Sequence, residues 1–467
     1  MSKKVGIGIA AVVVVVAAGA MGTSYYMGGK LEQEFTSNIP KLEMQGVSVK
    51  VVSYERGAFS STAKTSWTIE GTDEPTQFTA EHKISHGPLP MGHAAQIHTS
   101  FQLPDNADEG LKTALNGRSP LEIDTKLGWS RSSSNVMTSP AITARIKNSD
   151  MNWGGMKAEW DMPAGMKGAK GTANFAALHF KDEEGSAGMD KAVMRFDIKQ
   201  PEGQKFWIGP FAMTIDKVTA LKKEEEGKTS ASSFEGISMD SDTKLSGDVV
   251  EMTLKSGIKS LKLEDAKADD LLLDVSFHNI DSNWVNDVID MSRRKSAEPA
   301  EGEGDEAEDS LSDLRTRLMQ NLTQALARKP SMEINRISMR TDDGVSEFGA
   351  SLAYIGDGQN RRNLLEDIKL SFKADVPSKA LDTFLISRKK SAMLALFEDD
   401  SDYKPEEIAA AAKEQAQASV HALKEQGILV EKDGKLNTQI VYTNGEIQVN
   451  GKTLDADGTA VLMSEAL

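Results

Sequence analysis

The chain has 467 residues, no cysteine and a formal net charge of −16, with 70 acidic residues against 54 basic ones. Without a thiol it can form no disulfide, zinc–thiolate site, iron–sulfur cluster or cysteine nucleophile. The negative charge excludes nucleic acid as an expected partner, because a phosphate backbone needs a basic surface. At roughly 100–200 residues per domain, the length leaves room for two or three domains.

The N-terminal segment is apolar and is bounded by lysines. Between Lys4 and Lys30 lie 25 uncharged residues, among them five consecutive valines. About 20 such residues cross a bilayer as a helix, so the pattern predicts a membrane anchor over residues 1–30. The residues that characterise this anchor are Val5, Val12, Val16, Ala20, Tyr25 and Tyr26.

Lys3 and Lys4 predict that the N-terminus stays in the cytoplasm, since basic residues are retained on that side. The expected localisation is therefore the bacterial inner membrane, with a single pass and the C-terminal bulk in the periplasm. A cleaved signal peptide is the alternative, because residues 18–20 have the small-x-small form of a cleavage site. Tyr25 and Tyr26, which lie beyond that site, favour the uncleaved anchor.

Residues 31–295 are predicted to form a strand-rich periplasmic region. Apolar and polar residues alternate in it with a period of two, which is typical of strands with one buried face and of antiparallel sheets. No helix is predicted between about residues 45 and 280. The alternation is clearest in residues 121–129, 142–147, 194–198 and 250–254, and turns are predicted at Arg56–Gly57, Gly154–Gly155 and Ser256–Gly257.

Residues 296–310 are predicted to be an acidic linker, because residues 298–309 carry seven acids and no base. A short helix capped by Asn283 precedes this linker. The region 311–467 is predicted to be mixed α+β. Its expected helices are a leucine row from Leu311 to Leu326, a helix capped by Ser378 and a helix between Pro405 and Gly427, and its expected hairpin turns are Asp343–Gly344, Asp433–Gly434 and Asn444–Gly445.

The predicted fold class is thus α+β. It consists of a predominantly antiparallel β meander with helices concentrated in the C-terminal part, preceded by one transmembrane helix.

Three local motifs together resemble the YdgA-like family of Gram-negative bacteria, whose members carry a domain of unknown function. The motifs contain Tyr54, Arg56, Gly57 and Phe59, then His86, Gly87 and Pro88, and finally Asn450 and Gly451. The resemblance implies a single-span inner-membrane protein with a large periplasmic part that forms a homodimer. It supplies no catalytic or ligand-binding residue. A looser similarity, to the AsmA-like group of periplasmic β-rich proteins, is an analogy of fold only.

Candidate chemistry is sparse. His82 and His86 lie on the same face of an extended strand and are weak candidates for a metal site. The favoured interpretation gives His86 a structural role at the turn that follows it, so no metal site, catalytic residue or cofactor is predicted. The segment Tyr54–Gly57 is expected to shape a hairpin, with Gly57 at positive φ and Phe59 in the core.

Three functional hypotheses follow. In the first, the protein is not an enzyme and its sheet binds lipid or another hydrophobic envelope component. Eight methionines of the strand-rich half support it, since flexible thioether chains suit varied apolar partners; they are Met151, Met156, Met162, Met166, Met194, Met213, Met239 and Met252. In the second, the chain is a homodimeric scaffold of the cell envelope that contacts the inner membrane or another envelope protein. An enzyme is the third and least favoured hypothesis.

Overall fold

The computed structural model describes residues 47–57, 60–69, 76–86, 93–223, 229–264, 266–296, 316, 319–358, 365–396, 405–454, 458–459 and 462. The predicted anchor and the acidic residues 298–309 lie outside these ranges and stay predictions. Within the described ranges, no helix has the length and apolarity needed to span a membrane.

The chain divides into two compact units, Met1–Asp240 and Ser241–Leu467. Strand β15, Thr229–Ser246, runs across this division. The strand-rich region predicted for residues 31–295 therefore extends over parts of both units.

The first unit is almost entirely antiparallel β structure. Its strands pair in the order β1–β2–β3–β4–β5–β6–β9–β10–β13–β14, and a second row runs β7–β8–β11–β12–β14. The strands are β1 Val47–Arg56, β2 Ser60–Ile69, β3 Thr76–His86, β4 Ala95–Gln102, β5 Glu122–Leu127, β6 Ser133–Ser139, β7 Ile142–Ile146, β8 Ser149–Trp153, β9 Met156–Met162, β10 Gly168–Phe175, β11 Leu178–Lys181, β12 Gly185–Met189, β13 Ala192–Lys199 and β14 Gly209–Lys223.

A filled hydrophobic core lies on one face of strands β1 to β10. Alternate residues of each strand point to it, as the period-two pattern predicts. Trp67 is fully buried, and its ring lies 5.8 Å from that of Phe101. Ile84, Ile123 and Leu127 are almost as completely enclosed. This face of the meander has thus closed over its own side chains.

Three local predictions for these strands were wrong. Helix α1, Glu109–Leu115, was not expected; it is short and only Leu115 is buried, so it lacks a detectable apolar stripe. Ser256–Gly257 is no turn, because both residues lie inside strand β16. Gly57 does not adopt a positive φ; a Cβ at this position would lie 2.5 Å from the Ser60 carbonyl oxygen, so close backbone approach explains the glycine.

The second unit contains a sheet in the order β16–β17–β18–β19–β20–β22–β23–β24, with β21 also paired to β22, all antiparallel. Four helices accompany it. The elements are β16 Val249–Leu263, β17 Ala266–Asp281, α2 Ser282–Ser296, α3 over 319–327, β18 Ser331–Thr341, β19 Gly344–Tyr354, β20 Ile368–Pro377, α4 Ser378–Leu396, α5 Pro405–Glu425, β21 Val430–Lys432, β22 Lys435–Thr443, β23 Glu446–Val449 and β24 Lys452–Thr453. The antiparallel α+β class is confirmed.

All three predicted hairpins of this unit are confirmed. The pairs Thr341–Gly344, Lys432–Lys435 and Thr443–Glu446 each close a strand connection with two residues between them or at its edge. Asp433 and Asn444 have φ of 53° and 52°, and each is followed by a glycine at positive φ. Two successive positive φ values are what a type I′ turn requires.

Helix α2 begins at an aspartate that the sequence did not single out. Asn283 was predicted as the cap, but Asp281 Oδ1 accepts hydrogen bonds from the Asn283 and Trp284 backbone N–H groups at 3.0 and 3.1 Å. The other oxygen, Oδ2, accepts a bond from Arg328 Nε at 2.6 Å. Asp281 is only 1 % exposed. One buried carboxylate thus caps α2 and fixes the chain that leaves α3.

Helices α4 and α5 pack together through Leu385, Ala416 and Val420, and this cluster includes Leu436 of β22. Helix α5 starts at Pro405 and is followed by Gly427 at φ 66°, as predicted. Helix α4 starts at Ser378, whose hydroxyl donates to the Gly434 carbonyl oxygen at 3.3 Å rather than capping its own helix.

Candidate apolar binding groove

The register of the second unit aligns apolar side chains from six neighbouring strands on one face of the sheet. Residues paired directly across an antiparallel ladder lie on the same face. Leu254 pairs with Val275, which pairs with Ile334, and Ile334 pairs with Ala350. The row continues through Phe372 to Ile440. We call this surface the apolar face.

A β-bulge keeps strand β18 in phase with this surface. Ile334 pairs with Ala350, whereas Ile337 pairs with Phe348, so β18 contains one residue more than β19 at this point. The extra residue lets both isoleucines point to the apolar face although they are three positions apart. The amide of Asn335 donates to Asp274 Oδ1 and Ser276 Oγ, both at 3.1 Å, which anchors the bulge to β17.

An open groove of about 460 Å³ lies on this face. Its volume is in the range of small-molecule sites, roughly 300–1,000 Å³. None of the described residues that line it carries a charge, so it offers hydrocarbon contact rather than ionic recognition. The lining residues are Met332, Ile334, Ala350, Ser351, Leu352, Leu370, Ser371, Phe372, Ile440, Tyr442, Ile447 and Leu462.

The groove side chains remain accessible to solvent. Leu352 and Leu370 are each 44 % exposed, and Phe372 is 39 % exposed. Ile337 and Met339, farther along the same face of β18, are also exposed. Single exposed apolar residues are ordinary, but a contiguous apolar surface marks an interaction site.

Helices α4 and α5 account for only one end of the sheet. Val376 of β20 and its partner Leu436 of β22 are buried, and Leu436 belongs to the helix cluster. Leu370 and Phe372 lie on the same strand as Val376, yet they stay exposed. The apolar face is therefore covered near Val376 and open near Leu370.

The histidine pair does not form a metal site between two free rings. His82 is buried, with Nε2 2.9 Å from Thr65 Oγ1 and Nδ1 2.9 Å from Thr99 Oγ1. Trp67 Nε1 donates to the same Thr65 oxygen at 2.9 Å. Burial lowers the pKa of His82 to about 4. His86 is the last residue of β3. Among the residues that the structure describes, no group of three or more metal-ligating side chains occurs.

The first two sequence motifs meet at one end of the first unit. Arg56 pairs with Ser61, Ser61 pairs with Ile84, and Ser60 pairs with Ser85, directly before His86. Tyr54 packs against the core of this unit. Phe59, Gly87 and Pro88 lie outside the described residues. The motif positions that can be placed thus shape strand ends and do not converge on a cavity.

The third motif forms a turn that holds three segments of the second unit. Asn450 and Gly451 have φ of 50° and 79° between strands β23 and β24. The Asn450 amide donates to the carbonyl oxygens of Gly427 and Ile428 at 2.8 and 3.1 Å, and its Oδ1 accepts from Gln439 N–H at 2.8 Å. The side chain therefore connects the end of α5 to β22.

Replacing Asn450 by alanine should destabilise the second unit by about 2 kcal/mol, because it removes three hydrogen bonds and places alanine at positive φ. Chemical denaturation of the full chain measures this loss. Asn444→Ala is the matched control, since Asn444 has a similar φ of 52° in a similar turn. Within the described part of the chain, no hydrogen bond from its side chain to the end of α5 is present. Equal losses in both variants would contradict the proposed role of the amide.

The methionines do not gather in the groove as a group. Met151, Met156 and Met162 are buried core residues, whereas Met166, Met194, Met213, Met239 and Met252 are half-buried. The groove residues themselves were missed by the sequence reasoning. The signal that could have located them is the alternation in residues 332–339, 348–352 and 368–376, but alternation alone cannot separate a covered face from an open one.

Comparisons with known proteins give one positive result. No curated protein and no solved structure matches the chain. Residues 1–457 match the sequence model of a family described as "Bacterial protein of unknown function (DUF945)". Because this match spans far more than half of the sequence, the chain belongs to that bacterial family of unknown function.

Proposed function

We propose that the chain is a membrane-anchored periplasmic protein that acts by binding rather than by catalysis, and that its apolar face holds the hydrocarbon chain of a lipid. The observation that carries this proposal is the groove lined by uncharged side chains, with Leu352, Leu370 and Phe372 exposed. A site without charged groups suits the hydrocarbon part of a ligand and leaves its headgroup in solvent.

The sequence adds a source for such a ligand. The uncharged segment before Lys30 is long enough to cross a bilayer, which would keep the rest of the chain beside membrane lipid. The three motifs support the narrower assignment of the chain to the YdgA-like members of its family. A homodimeric scaffold is the alternative, in which a second copy would cover the same apolar face.

Site-specific photocrosslinking in living bacteria tests the proposal with the full chain and without detergent. A benzophenone-bearing amino acid replaces Leu370, and the irradiated protein is purified under denaturing conditions for mass spectrometry. We expect an adduct with a membrane lipid. The same probe at Lys373, which lies on the opposite face of β20, is the control and should yield no lipid adduct. A crosslink between two copies would support the scaffold instead, and no adduct at Leu370 would overturn the lipid proposal.

A charge introduced into the groove should abolish most of this binding. Phe372→Glu, with the probe moved to Leu352, is expected to lower the lipid adduct about tenfold or more, because a buried aromatic contact contributes about 1.5–3 kcal/mol. The matched variant is Lys373→Glu, which adds the same carboxylate one position along the strand but on the other face. Equal adduct yields in the two variants would contradict a role for the apolar face.

A further inference from the structure

The C-terminal segment of the chain, residues 455–467, reaches the groove. Immediately before it, the Leu454 backbone N–H donates to the Ile447 carbonyl oxygen at 3.0 Å. Ile447 is itself a groove residue, so the segment starts at the rim of the site. Farther along, Leu462 contributes its side chain to the groove lining. Both ends of this stretch thus lie at the same surface.

The described positions of the segment indicate how it lies there. Gly458 and Leu462 are both helical and four residues apart, which puts them on one side of a helix. Gly458 is buried and Leu462 is half-buried. A glycine allows a close backbone approach. The sequence around Leu462 is Ala460–Val461–Leu462–Met463, an uncharged apolar run.

We infer that residues 455–467, which we call the tail, compete with the ligand for the groove, and that Leu462 occupies the place that the end of a hydrocarbon chain takes. This inference rests on the proposed function. A leucine side chain and the end of an acyl chain present the same chemistry, saturated carbon without a polar atom, to Leu352, Leu370 and Phe372. A ligand must therefore displace Leu462, and the apparent affinity is reduced by the fraction of molecules in which the tail is bound.

The test uses the same photocrosslinking probe at Leu370 in three proteins: the full chain, the chain ended after Leu454, and Leu462→Asp. The full chain should yield some adduct with a tail peptide that contains Leu462. Removing the tail, or charging Leu462, should raise the lipid adduct by about three- to tenfold. Val430→Asp, a charge at an exposed apolar residue outside the groove, should leave the yield unchanged.

The outcomes separate the two proposals. A lipid adduct of equal yield in all three proteins would overturn the competition by the tail and leave the lipid-binding proposal standing. No lipid adduct in any of them would overturn both. Leu462→Ala guards against misfolding, because it shortens the side chain without adding a charge. It should change the yield in the same direction as Leu462→Asp, and an unchanged yield would count against the tail.

Discussion

Replacing Arg328 by methionine should destabilise the second unit by about 3 kcal/mol, even though the arginine is partly exposed. The reason is the partner that remains: Asp281 is 1 % exposed and would lose the only cation within 4 Å that the described residues provide. Breaking a buried ion pair by removing one member typically costs about 3–5 kcal/mol. The lower end is expected here, because the Asn283 and Trp284 N–H groups still donate to the carboxylate. Chemical denaturation, or hydrogen exchange of helix α2, measures the loss.

Two further variants separate the ion pair from the helix cap. Asp281→Asn keeps a side-chain oxygen for the cap and removes the charge, so adding it to Arg328→Met should recover part of the lost stability. Asp248→Asn is the control, because Asp248 contacts Arg328 at 3.3 Å but is 65 % exposed. It should cost less than about 1 kcal/mol. Strictly additive losses for Arg328→Met and Asp281→Asn would contradict the coupling.

The second prediction concerns acid and the first unit. Lowering the pH from about 6.5 to about 4 should reduce its free energy of unfolding by about 3 kcal/mol through His82 alone. The ordinary pKa of histidine, about 6.5, applies to the unfolded chain, whereas burial lowers the pKa of His82 to about 4 in the folded protein. Between these values the unfolded chain binds a proton that the folded chain does not, so stability is complete above pH 6.5 and falls with pH by about 1.4 kcal/mol per unit.

The measurement compares the pH dependence of unfolding in the wild type and in His82→Gln. The variant should lose stability less steeply between pH 6.5 and 4. His98→Gln controls for the loss of a histidine as such, since the His98 side chain is 37 % exposed. Direct titration of the His82 ring by NMR provides a second readout if the variant folds poorly. Parallel pH curves, or a ring that titrates near pH 6.5, would contradict the prediction.

Much of the local structure follows from the sequence. The alternation in residues 121–129 and 368–376 lies in strands β5 and β20, and the Asp–Gly and Asn–Gly pairs lie in tight turns. These features depend on neighbours in the chain, and short-range patterns report them. The prediction at Ser256–Gly257 was wrong for the same reason, because a glycine inside the long strand β16 has the same local appearance as a turn.

The groove depends on contacts between distant segments. Leu370 and Leu436 both lie at apolar positions of alternating strands, yet one is 44 % exposed and the other 2 %. What differs is the position of helices α4 and α5 over the sheet, which no local pattern reports. The cap of α2 shows the same limit, since Asp281 and Asn283 are both good capping residues. The arginine that selects Asp281 lies 47 residues away.

The bulge at Asn335 has a consequence for how strand β18 can change in length. Side chains alternate with a period of two, so losing this one residue would reverse the facing of everything that follows in the strand. Ile337 and Met339 would leave the apolar face, and Ser338 and Arg340 would enter it. Loops elsewhere in the family can lengthen or shorten by single residues at little cost. Between Ile334 and Ile337, however, a viable deletion would have to be accompanied by a compensating insertion before Thr341, so chain length here should be among the least variable features of the second unit.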